Sequence, residues 1–160
     1  PDNHVEVDNR LVWFLGGLDS RYEDASTFYV YLTRETDKVI ASYLLRWHMT
    51  ISIVRAFYHG ILMTPKKPDQ HTAQRSCRLF VETVDENIRH FLKNRNNWAH
   101  VRVENLEQDF FTFMTKAGLT GERETIRQAL LDITNISKKK HRKKSRAGKI
   151  RAIFSSRRLY

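Results

Sequence analysis

The stretch that decides the fold is FYVYLTRETDKVIASYL, residues 28–44. Its first five residues are aromatic or aliphatic. With Thr27 and Thr33 they form a run rich in aromatic and β-branched side chains, which predicts a strand over 27–33. Thr36 or Asp37 is then placed to cap a helix that runs through Leu45 and as far as Trp47. A strand feeding directly into a helix puts Arg34 at the strand's carboxyl end and Ser42 in the helix behind it. In open α/β sheets, ligands sit in the crevice outside those carboxyl ends. A guanidinium offers a planar fork for phosphate oxygens, and a hydroxyl supplies a further donor. Two readings of the pair are open. Either Arg34 and Ser42 share an anion, or Arg34 pairs with a carboxylate such as Glu35 or Asp37 and Ser42 is simply a small helix residue.

Outward from this stretch, NRLVWFLGGLD, residues 9–19, spaces its apolar side chains as a helix ending near Gly16-Gly17. A second helix is expected over 51–63, stopped by the two prolines of TPKKPD. Residues 70–94 read as a long amphipathic helix with Leu79, Phe80, Val84, Ile88, Phe91 and Leu92 on one side. WAHVRVENL, residues 98–106, alternates as a short strand. It leads into a helix with Phe110, Phe111, Phe113 and Met114 that ends at Gly118 as its C′ glycine. A last helix spans 122–132. Strands separated by helices favour an α/β fold with parallel strands, helix-rich and with one domain over 1–136. Two strands make a poor sheet, so further strands are expected ahead of residue 1. The chain opens Pro-Asp-Asn-His and its first methionine is Met49, which fits the later part of a longer protein.

Composition narrows the class. At 160 residues with 41% hydrophobic residues, the chain can bury a core of its own. A single cysteine, Cys77, excludes an internal disulfide framework and fits a reducing compartment such as the cytoplasm. Seven histidines in no ligand-like spacing predict no metal site. No apolar run approaches the length of a transmembrane helix. The net charge of +10 is unevenly placed: residues 137–160 hold 11 of the 28 Lys and Arg and no acidic residue. That leaves 17 basic against 18 acidic residues in the body.

TFYVYLTRETDKVIASYLLRW resembles the 3′-phosphate-binding segment of sulfotransferases that use 3′-phosphoadenosine 5′-phosphosulfate. That pattern is an apolar strand, an Arg, a Val, and a Ser eight residues after the Arg; here Arg34, Val39 and Ser42 match, with Thr36 where the family often has Pro. AHVRVENLEQDFFTFMTKAGL, residues 99–119, is similar to the family's later strand and helix through Arg102, Glu104, Leu106, Gly118 and Leu119. The opening PDNHVEVDNRLVWFLGGLD looks like the segment before the phosphate-binding strand in small bacterial members. The resemblance implies a P-loop-like parallel sheet with flanking helices, incomplete at the N-terminus. It implies sulfuryl transfer from 3′-phosphoadenosine 5′-phosphosulfate, as co-substrate, to a hydroxyl or amine on a small-molecule or glycan acceptor. It also implies a 5′-phosphosulfate loop, which these residues do not contain.

Sulfuryl transfer needs a base near the acceptor, and the family uses a His or a carboxylate. His4 and Glu6, ahead of the first helix, are the candidates. Arg46, His48, Arg55 and His59 follow the phosphate-binding helix, and Arg55 and His59, four apart, would share a face lining an acceptor pocket. In the tail, Arg142, Lys143 and Gly148 loosely echo the late Arg-Lys-Gly segment that in larger sulfotransferases folds over the cofactor phosphates. The basic run over 138–158 has two other readings: contact with nucleic acid or another polyanion, which would make the chain a non-catalytic binding module, and a solvated extension.

Overall fold

The computed structural model describes residues 4–22 and 27–131. A 3₁₀ turn, Leu11–Phe14, runs into helix α1, Leu15–Arg21. Strand β1, Tyr29–Thr33, leads into α2, Thr36–Leu45. Helix α3, Ile53–Ala56, continues as a π-helical turn over Phe57–Ile61. The long helix α4, Gln70–Leu92, precedes β2, Trp98–Arg102, which passes through a 3₁₀ turn, Val103–Asn105, into α5, Leu106–Lys116. The chain divides into two compact units after Gly118. In the second, residues 123–131 are helical, with the Glu122 carboxylate accepting the Glu124 and Thr125 N–H groups. The boundary expected at 136 and the basic tail lie outside the described residues.

The two strands pair in parallel, from Tyr29 beside Trp98 to Thr33 beside Arg102. This is the expected helix-rich α/β arrangement, with α5 packed on β2. Burial is uneven across the pair: Ala99 and Val101 are buried while their partners Val30 and Leu32 are exposed. The core forms where α4 meets α2 and α3, around Ile40, Val54, Phe57, Cys77 and Phe80. Phe80 is its centre, with the rings of Tyr43 and Phe57 each 5.4 Å away and that of Trp13 at 6.2 Å. Offset and edge-on contacts of this kind add to the burial of area alone.

Several local expectations are corrected. Residues 15–21 stay helical through Gly16-Gly17, because paired glycines weaken a helix by about 1 kcal/mol each without forcing a turn. Glu35, not Thr36 or Asp37, is the N-cap of α2, and no side chain caps it there. Thr36 and Asp37 are drawn into the first turn, and Asp37 pairs with Arg78 of α4 at 2.8 Å. The strand at 98–106 stops at Arg102, where Asp109 of α5 captures the backbone N–H of that residue. Leu79 does not belong to the buried side of α4: it is 45% exposed, one position ahead of Phe80. The expected stop of α5 is as read, with Gly118 at φ +66 in the left-handed region that glycine enters freely.

Candidate anion site at the carboxyl end of the sheet

The parallel pairing brings the carboxyl ends of β1 and β2 side by side, and each strand then turns straight into a helix. Arg34 leaves β1 at this end. It is exposed and makes no hydrogen bond or ion pair with any described residue. The neighbouring carboxylates do not pair with it: Glu35 pairs with Lys38, and Asp37 with Arg78.

The backbone that carries Arg34 is held from the other strand. Glu104, in the turn after β2, accepts the Glu35 N–H at 2.9 Å. That hydrogen bond, with the nearby charges of Lys38 and Arg34, holds the Glu104 carboxyl below the usual carboxylate range. Glu104 thus fixes the peptide joining Arg34 to the helix. Beside it, Arg102 is locked to Asp109, Nε to Oδ2 at 2.7 Å and Nη2 to Oδ1 at 2.8 Å, with Asn105 Nδ2 also donating to Oδ1. The Arg102 guanidinium pushes the Asp109 carboxyl well below its ordinary range. Arg102 and Glu104 of the second sequence match are therefore engaged in holding the strand ends and the two following helices.

Ser42 lies one helical face further along α2, half-buried. With a rise of 1.5 Å per residue it stands about 10 Å along the axis from Glu35. The cation on it is Arg46: Nη2 donates to Ser42 Oγ and Nε to the Ser42 carbonyl, both at 3.1 Å, and the guanidinium lies 5.2 Å from the Tyr43 ring centroid. No hydrogen bond joins Arg34 to Ser42. The i, i+4 spacing of Ser42 and Arg46 was the signal for this contact. A second pairing needed the strand register to be seen. Thr33 Oγ1 and His100 Nε2 are hydrogen-bonded at 2.8 Å, and the His100 ring stacks on Tyr31 at 5.1 Å.

The remaining candidates fall elsewhere. His4 and Glu6 contact each other at 3.4 Å in an exposed segment ahead of the first turn, and no hydrogen bond links either to Arg34 or Ser42. His59 Nδ1 lies 2.7 Å from the Thr64 carbonyl, so that nitrogen carries the proton and is spent on the backbone. The π-helical turn at 57–61 also alters the spacing that would have aligned it with Arg55. Arg142 and Lys143 lie outside the described residues. Among the described residues no group of three or more His, Cys, Asp or Glu is placed to hold a metal ion. No described helix is long and apolar enough to cross a membrane. A groove of about 490 Å³ opens between α1 and the end of α4, lined by Trp13, Asp19, His90, Phe91 and Arg95 among others, and includes none of the predicted residues. No family model, curated protein or solved structure matches the chain.

Proposed function

We propose that the carboxyl end of β1 and the face of α2 behind it bind the 3′-phosphate of a nucleotide, in a sulfotransferase-like domain of P-loop type. With a 5′-phosphosulfate loop supplied from outside these residues, the reaction would move a sulfuryl group from 3′-phosphoadenosine 5′-phosphosulfate to a hydroxyl or amine of a small-molecule or glycan acceptor, in the cytoplasm. The observation that carries this reading is Arg34: an exposed guanidinium with no hydrogen bond or ion pair among the described residues, on a backbone pinned by Glu104, where open α/β sheets take their ligands. In this reading Arg34 and Ser42 hold the phosphate, and His4 or Glu6 takes the acceptor proton.

The competing reading is a non-catalytic module that binds nucleic acid or another polyanion through the basic run at 138–158, and its support is the charge of that run. Equilibrium dialysis separates the two. The sulfotransferase reading expects saturable binding of 3′,5′-adenosine bisphosphate at micromolar concentration, little changed between 50 and 200 mM salt. The module expects no nucleotide binding, with duplex or single-stranded DNA bound and released steeply over the same salt range.

A further inference from the structure

We infer that Arg46, which lies outside the Arg-Val-Ser pattern, is a third ligand of the anion on Ser42 and sets the preference for a 3′-phosphate. This rests on the nucleotide-binding reading above and assigns the cation that acts at its serine.

The helical hydroxyls of this fold show what Ser42 does differently. Ser76, Thr83, Thr112 and Thr115 each donate their proton to the carbonyl four residues back, at 2.8 to 3.0 Å. Such back-bonding is the usual fate of a hydroxyl inside a helix. Ser42 makes no such bond. Its oxygen instead accepts from Arg46 Nη2, and since a guanidinium has no acceptor, the Ser42 proton remains available to a ligand.

Arg46 is itself positioned rather than free. The Nε bond to the Ser42 carbonyl and the Tyr43 ring fix the plane of the guanidinium. Only two of its five N–H groups are used in these contacts, and among the described residues no carboxylate lies within ion-pair distance of it. A hydroxyl proton and several guanidinium protons thus converge on one side of α2, an arrangement suited to an oxyanion. The end of α2 supplies a reason for the arginine. The last-turn carbonyls present the negative end of the helix dipole, which opposes an anion near Ser42, and a cation at position 46 offsets it.

The test compares 3′,5′-adenosine bisphosphate with adenosine 5′-monophosphate by calorimetry on the wild type, Arg46→Gln, Arg46→Lys and Ser42→Ala. The wild type is expected to prefer the bisphosphate. Arg46→Gln should lose roughly tenfold to hundredfold of that preference while binding the monophosphate as before. Arg46→Lys keeps the charge but not the fork and should fall between. Combining Arg46→Gln with Ser42→Ala should cost less than the two single losses together. A merely structural role for Arg46 would instead weaken both nucleotides alike or lower the melting temperature with no change in preference. An unchanged preference in Arg46→Gln, with Arg34→Ala still abolishing binding, overturns the role of Arg46 and leaves the nucleotide site standing. Absence of binding in the wild type overturns both.

Discussion

Cys77 shows how the environment of one residue decides its chemistry. It is fully buried in α4, and loss of water pushes its thiol up to about 11, so at neutral pH almost none is thiolate. Native protein at pH 8 should therefore react with a thiol reagent only at the rate at which the core opens, and at full speed in denaturant. Rapid labelling of native protein would contradict the burial. Arg34 is the opposite case, a polar group left in water by a backbone that is itself held. Glu104→Gln should keep a hydrogen bond to the Glu35 N–H while removing a negative charge near Arg34, and so strengthen nucleotide binding a few-fold. Glu104→Ala should lose the hold on the loop and weaken binding. At this scale the sequence was partly legible. Arg34 could be placed because an apolar run ends immediately before it. The engagement of Glu104 with Glu35, and of His100 with Thr33, depends on which residues of two strands 69 positions apart in the chain lie side by side, and no local spacing encodes that.

Among the elements, the turn from β2 into α5 is held most specifically. Asp109 is 7% exposed and its oxygens accept from the Arg102 side chain and backbone and from Asn105. Asp109→Ala should lower stability by about 2 kcal/mol in urea denaturation, the scale of hydrogen bonds to a charged group. The pH dependence has a definite sign. The folded carboxyl has a depressed pKa, so its contribution is present above about pH 4, where an unfolded Asp is ionised, and is lost as the pH falls further. Asp109→Asn should flatten that acid limb; an unchanged limb would assign acid sensitivity to other groups. Gly118, at φ +66, ends α5, and replacing it with Ala should cost about 1 kcal/mol although the added Cβ would meet nothing within 4 Å. The helices were legible from their 3.6-residue apolar period, and α5 also from its stop at Gly118, whereas Gly16-Gly17 stopped nothing. Their joints were less so. The N-cap moved to Glu35, which leaves Thr36 and Asp37 in the first turn with Asp37 on Arg78 of α4, a neighbour that no local spacing reveals.

For the molecule as a whole, the first unit has two centres: an aromatic core around Phe80 and a small parallel sheet whose carboxyl end carries the candidate site. Phe80→Ala should cost about 3–5 kcal/mol, since Trp13, Tyr43 and Phe57 all pack on the ring and cannot close the space together. The order of elements was legible from the alternation of periods, and parallel pairing followed from helices lying between the strands. The position of the core was only half legible, because the apolar spacing of α4 does not say which neighbours it meets, and Leu79 turned out to lie on the outside. The central claim joins fold to function: β1 delivers Arg34 to a phosphate. Calorimetry with 3′,5′-adenosine bisphosphate on the wild type and Arg34→Ala tests it most directly. The account predicts micromolar binding by the wild type and at least a tenfold loss in Arg34→Ala, with the melting temperature unchanged. Equal affinity in both proteins, or no heat of binding in either, would contradict it.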